Sequence, residues 1–341
     1  APDHSKYHQL EWTVDYLERQ ISCWGTPYEV VRVFLPPGKY YTNSLVLNGK
    51  VLVPIEGGLP ADAAALDAYR SAMPGYEVIG IPSLTDPWPN QWVSHDALHC
   101  RTKELVDPEM LYVGHRPLLD RPATAGGFRV EAEVIAHSGA SLLAGQPQLR
   151  WRTSGAWNAV AMTHLPGDRY EGWIPAQPAG TRIQYFVHAE DASGRSESHP
   201  YVGAPGAHSF VVNTLGTDVR AVSTRDVGPV EFLLDAGPAN AGRPYLLLGT
   251  TSGTKPGLQL PGGLTLTLNR DAFMGHVREN ANTPSFRGFA GTLDVNGRAI
   301  ARMDLSGAAL PAQPGESMYF AFLTAAPFGF VSNAIEVRIL D

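Results

Sequence analysis

Apolar positions change their period along this chain, and the changes divide it. In "KYHQLEWTVDYLERQIS", Leu10, Val14, Leu17 and Ile21 fall four, three and four residues apart. That spacing predicts an amphipathic helix. "YEVVRVFL" (28–35) follows and reads as a strand. "SLVLNGKVLVPI" holds two apolar runs joined by Asn48-Gly49, which predicts a tight hairpin. "ADAAALDAYRSAM" is helical and stops at Pro74-Gly75. "YEVIGIPS" and "MLYVGH" read as two more strands, so the first ~120 residues predict an α/β domain.

"RPLLDRPATAGG" (116–127) has the composition of a linker, and beyond it the pattern is purely β. "FRVEAEVIAH" alternates strictly, and "TRIQYFVHAEDASGR" places Ile183, Tyr185 and Val187 on one face before a turn at Asp191. "AHSFVVNT" closes a unit of about 90 residues, the size of an immunoglobulin-like sandwich. A second β unit runs from near Val222. Its strands are "VEFLLDAG", "RPYLLLGT", "GGLTLTLN", "FAGTLDVNGRAIARMDL", "SMYFAFLTA" and "NAIEVRIL", with a hairpin expected at Asn296-Gly297. A second sandwich is the simplest closure for these strands.

Composition narrows the function classes. The net charge of −7 offers no basic surface for nucleic acid. No apolar run approaches the ~20 residues of a membrane span. Two cysteines, Cys23 and Cys100, build neither a disulfide framework nor a zinc site, and no metal or cofactor is expected.

Candidate chemistry centres on "HDALHCRTKEL" (95–105). Cys100 sits just beyond a loop rich in Pro, Trp and polar residues, between His99 and Arg101. Neighbouring cations raise the thiolate fraction, so Cys100 reads locally either as a packed thiol or as a nucleophile. Cys23 ends the first helix and reads as packing. His95, His99 and His115 are the nearest histidines in sequence. On an extended strand His99 would point away from Cys100, whereas His95 could share its cavity. Asn43, at the start of the hairpin, is either a turn cap or an amide that orients a substrate. His137, His164, His188, His199, His208 and His276 are scattered and read as surface or loop residues.

"YTNSLVLNGKVLVPI", "AMPGYEVIGI" and "DALHCRTKELVD", with "SCWGTPYEVVR" upstream, resemble in order and spacing the C-terminal part of bacterial peptidylarginine deiminases. More broadly they resemble the agmatine deiminase branch of the guanidino-group-modifying enzymes. The resemblance covers about the first 120 residues, and an immunoglobulin-like domain after the catalytic one also fits the bacterial pattern. It implies part of a five-bladed α/β propeller over residues 1–122, an immunoglobulin-like sandwich over 123–215 and a second β-sandwich over 216–341. It makes Cys100 the nucleophile and Asn43 an active-site residue, with His95 and Arg101 lining the substrate pocket. The implied reaction converts arginine to citrulline and ammonia through a thiouronium on the cysteine, without a cofactor or calcium. The implied protein is secreted or on the cell surface of a bacterium and acts on arginine-containing peptides or proteins.

One departure matters. The family's His-x-Asp motif supplies the general acid and a carboxylate that grips the guanidinium, and no His-x-Asp occurs in residues 1–100. Asp3-His4 has the wrong order and spacing. The resemblance therefore implies a partner, the N-terminal part of the catalytic domain, and a chain that carries only the nucleophile half of the site. Two other functions remain open at this point: deimination of agmatine or another free guanidine, and noncatalytic extracellular binding by a degenerate propeller remnant. Sequencing the reading frame ahead of Ala1 separates them. The enzyme reading expects a His-x-Asp there, and its absence removes that reading.

Overall fold

The computed structural model describes residues 5–18, 20, 22, 28–83, 92, 97–124, 126–223, 228–305, 313–325 and 327–340. It is mostly β-sheet with few helices. Helix α1 spans Tyr7–Glu18. Strands β1 (Leu45–Leu47) and β2 (Lys50–Ile55) form the expected hairpin, with Leu47 opposite Lys50. Asn48 and Gly49 both take positive φ, 50° and 76°, as a two-residue turn between twisted strands demands. Helix α2 (Pro60–Ala72) crosses over, and β3 (Glu77–Pro82) returns parallel to β2. The sheet order is β1-β2-β3. Its core is small: Tyr41, Val51, Val53 and Ala65.

Residues 28–35 differ from expectation. "YEVVRVFL" forms no strand, and Tyr28, Val31, Phe34 and Leu35 are exposed. β-propensity reports fit to a neighbouring strand, and among the described residues no strand pairs with this run. Helix α1 is equally uncovered: none of its residues is buried, and Leu10 and Trp12 are 56% and 66% exposed. Ile21 and Cys23, both assigned to this helix from sequence, lie outside the described residues.

The strand "MLYVGH" also moves. β4 (Leu111–His115) does not join the α/β sheet but pairs antiparallel with β5 (Phe128–Ala136). Leu111, Val113 and His115 point into the sandwich core, which fixes the register. The first sandwich therefore begins near residue 110, and the boundary expected at 122 falls inside it. "RPLLDRPATAGG" is a connection between paired strands rather than a tether, with Leu119 and Ala123 buried.

One sheet of this sandwich runs β4, β5, Arg169–Ile174 and Thr163–His164. The other runs Ser196–His199, Arg182–Glu190, Gln148–Arg152 and Asn158–Ala161, with His208–Val211 on Arg182–Glu190. Ile183, Tyr185 and Val187 face inward together, as their alternation requires, and meet Val130, Ala132 and Val134. Asp191 is a turn former, accepting from the Ser193 and Arg195 amides.

The second β unit is also two-layered. Leu215–Thr217, Val230–Asp235, Arg298–Met303 and Phe286–Arg287 form one sheet, in that order. Ala221–Ser223, Ile335–Leu340, Ser317–Thr324, Pro244–Thr250 and Ala290–Thr292 form the other. Asn296-Gly297 is a turn but not the expected hairpin. Ala290–Thr292 and Arg298–Met303, on either side of it, belong to opposite sheets. Helix Ala272–Glu279 was not anticipated. It is capped by Asp271, whose carboxylate accepts from the Met274, Thr251 and Ser252 amides.

His199 and His208 are not simple surface residues. Val187 pairs with His199 and Tyr185 with His208, so both imidazoles fall on the inward face beside His115. His115 Nδ1 lies 2.6 Å from the Glu131 carbonyl, and its Nε2 lies 2.8 Å from the Tyr185 hydroxyl. The carbonyl can only accept, so Nδ1 carries the proton and Tyr185 donates to Nε2. The Leu118 amide donates to the same hydroxyl at 2.6 Å. His199 Nδ1 and His208 Nε2 are 3.0 Å apart, one donor and one acceptor.

Burial pushes His115 down to about 4, with a smaller push from His199 and an opposing one from the Glu131 carbonyl. Burial, then His115 and His199, pushes His208 down to about 3. In the unfolded chain both titrate near ~6.5. The folded state binds fewer protons below that value, so the stability held by the neutral pair is complete above ~6.5 and is lost as pH falls toward 4 and 3. The melting temperature should therefore fall over that window. His208→Gln should flatten the decline, measured by circular dichroism melts at half-unit pH steps.

Candidate functional site

Antiparallel pairing of Leu45 with Leu52, midway along β2, directs the residues before β1 toward the C-terminal end of β2. Asn43, two residues earlier, thus sits where the parallel strands β2 and β3 both end. In open α/β sheets such strand ends are where sites form. The turn that carries Asn43 is held by an Asn43 N–H to Tyr40 carbonyl bond of 2.8 Å.

Cys100 comes to the same place. It lies in a four-residue helical turn, Leu98–Arg101, and its thiol is exposed. The Asn43 side-chain amide donates to Cys100 Sγ at 3.0 Å. Asn43 Oδ1 accepts from the Cys100 amide at 3.4 Å, and the Asn43 carbonyl accepts from the His99 amide at 3.3 Å. Three bonds thus join two segments 57 residues apart. The backbone bonds fix the turn, and the Nδ2 bond reaches the sulfur itself.

Trp92 and Arg101 anchor the other side. Trp92 Nε1 donates to the Ile55 carbonyl at 3.0 Å and to the Ile81 carbonyl at 3.3 Å, spanning the ends of β2 and β3. The Arg101 guanidinium stands 5.6 Å from the Trp92 ring centroid, a cation–π distance. Arg101, expected in the substrate pocket, therefore packs against the loop residue that seals the strand ends.

The other expected residues divide. His95 lies outside the described residues. His99 is in a helical turn rather than on an extended strand, so its side chain leaves the backbone ~100° from that of Cys100 rather than on the opposite face. His115 is committed to Tyr185 and Glu131 inside the sandwich and is no partner of the thiol.

Sequence reasoning missed the shell beneath Asn43. Asp62, at the third position of α2, is buried. It accepts from the Tyr41 hydroxyl at 2.8 Å and from the amides of Glu56, Gly57 and Leu59 at 3.2, 3.0 and 3.0 Å. Burial works to raise its carboxyl, but the bonds from Leu59, Tyr41, Glu56 and Gly57 outweigh it and hold the group below its usual value. Tyr41 is pushed up by burial and by Asp62. Asp62 was legible only as an acid in the first turn of a helix, which does not distinguish a structural anchor from a surface charge. Asp62→Ala would strand three amides and a hydroxyl. Gly57 and Leu59 are exposed, so water can replace part of what is lost, and the substitution should cost roughly 3 kcal/mol, about the penalty of one buried donor left unsatisfied. A urea melt followed through probes in residues 40–62 measures this.

Residues 1–105 match the family model described as Porphyromonas-type peptidyl-arginine deiminase. Solved structures align at low identity. The chain covers 66% of the chicken CNTN1 FN1-FN3 structure at 10% identity and TM-score 0.20, over 67% of its own length. It covers 22% of dimeric latent PorU from Porphyromonas gingivalis at 12% identity and TM-score 0.23, over 78% of its own length. It covers 97% of the teleost fish polymeric Ig receptor ectodomain at 8% identity and TM-score 0.25, over 66% of its own length. Scores this low relate no whole-chain arrangement. The segment that brings Asn43 to Cys100 lies within the residues that are similar to the Porphyromonas-type peptidyl-arginine deiminase family.

Proposed function

We propose that this chain carries the nucleophile half of a peptidylarginine deiminase. The observation that carries the reading is the 3.0 Å bond from Asn43 to Cys100 inside the family-matched segment. Cys100 Sγ, as thiolate, attacks the guanidinium carbon of a substrate arginine. The carbon–nitrogen bond to a terminal nitrogen breaks, a general acid gives that nitrogen a proton, and ammonia leaves. Water then attacks the thiouronium carbon, the carbon–sulfur bond breaks, and citrulline departs with its ureido oxygen from water. A guanidinium is a poor electrophile because its charge is delocalised, so the step needs a proton donor and gripping carboxylates as well as the thiolate.

The reading assigns those groups to a partner, the N-terminal part of the catalytic domain. The uncovered apolar residues Leu10, Trp12, Tyr16, Phe34 and Val31 are the kind of face such a partner would bury. With it, the β1–β3 sheet becomes part of a five-bladed α/β propeller, and His95 joins the pocket. The substrate is arginine in a peptide or protein, and the site of action is outside a bacterial cell or on its surface. Among the described residues no helix is long and apolar enough to cross a membrane.

Citrulline release from arginine peptides by the full-length protein tests the reading. Cys100→Ala should lower the rate at least ~10³-fold, the scale of loss of a covalent nucleophile. Activity unchanged by that substitution defeats the reading.

A further inference from the structure

We propose that Tyr69 is a positioning residue that sets the Asn43 amide on the Cys100 sulfur. The assignment rests on the reading of Cys100 as a nucleophile, but its primary test does not need enzyme activity. Asn43 lies in the middle of the turn 40–44, and Tyr69 grips that turn on both sides of it. The Tyr69 hydroxyl donates to the Tyr41 carbonyl at 3.0 Å. A carbonyl can only accept, so that bond uses the phenolic proton. The Ser44 hydroxyl, 2.9 Å away, must then be the donor to the Tyr69 oxygen.

One phenol thus fixes the residues two before and one after Asn43. Its ring packs on the core of Tyr41, Val51, Val53 and Ala65, so the grip is referred to the helix α2 and strand β2 scaffold. Asp62 holds Tyr41 from the other end through the 2.8 Å hydroxyl bond. The turn has no regular ladder of its own to hold it: β1 begins only at Leu45. Without the Tyr69 hydroxyl, the Tyr41 carbonyl and the Ser44 hydroxyl lose this partner, while the packing of the ring and the backbone bonds of Asn43 to Tyr40 and His99 stay. What loosens is then the setting of the Asn43 side chain, and with it the Nδ2–Sγ distance. A hydrogen bond to sulfur favours the thiolate, the form that reacts with electrophiles.

The test is the rate of Cys100 alkylation by iodoacetamide at neutral pH, read on the Cys100 peptide by mass spectrometry so that Cys23 does not interfere. Tyr69→Phe should slow alkylation by about threefold, within the range for one hydrogen bond. Asn43→Ala should do the same or more. In the Asn43→Ala background, Tyr69→Phe should add nothing, because its effect passes through the amide. Unchanged alkylation in Tyr69→Phe, or equal slowing in both backgrounds, overturns the proposal. If Tyr69→Phe does not fold, Ser44→Ala, which removes one of the two grips, is read by the same criteria. Citrulline release that survives Cys100→Ala defeats the deiminase reading and leaves the alkylation result standing, so the two failures are distinguishable.

Discussion

The parallel ladder between β2 and β3 is the constraint on which the site depends. It brings the Ile55 and Ile81 carbonyls to one end, where a single indole N–H bridges them. The antiparallel partner β1 starts opposite the middle of β2, so the chain just before it, with Asn43, comes from that same end. Parallel strands require a crossover, and the crossover is α2. That helix brings Asp62 and Tyr69 under the turn. Fold and site are therefore one arrangement here: each group near Cys100 is where the ladder and its connections put it.

Where a pattern is set locally, the sequence was readable. Asn48-Gly49 makes the only kind of turn those residues favour, and the hairpin register follows. Alternation in residues 128–136 and 182–190 announced two central strands and their inward faces. Cys100 and Asn43 were singled out by resemblance and by local chemistry, but no local pattern could say that they touch. They are brought together across 57 residues by a sheet whose strand order is not written in either segment.

Where a segment needs a partner to decide its state, the sequence misled. "YEVVRVFL" has strand composition, yet a strand is a relation between two segments, and none of the described strands takes it as a neighbour. "MLYVGH" had a partner, but on the far side of a stretch rich in Pro and Gly that resembled a tether. Asn296-Gly297 kept its turn geometry and still failed to make a hairpin, because the flanking strands are claimed by different sheets. The inward-facing, half-buried His199 and His208 were missed for a related reason. Their inward direction comes from the strands opposite them, Tyr185 and Val187, and not from their own neighbours.

The distribution of buried surface sets how the parts depend on one another. Both sandwiches close their cores on themselves, with phenylalanines and aliphatics almost wholly excluded from water. Among the described residues, the core cluster of the α/β segment is Tyr41, Val51, Val53 and Ala65, and the apolar side of a 12-residue helix is left in solvent. Apolar burial is the main favourable term in folding, so this segment has the least of its own stability to spend. It leans on the first sandwich instead. The Tyr76 and Tyr201 rings stack 6.5 Å apart, and Arg195 bonds Asp107 and Glu109 at 3.1 Å each. Exposed ion pairs of this kind contribute little individually. Order at the Asn43–Cys100 junction must then come mainly from the polar shell of Asp62, Tyr41, Tyr69 and Ser44. Those bonds are short, mutually consistent in donor and acceptor, and gathered on one helix.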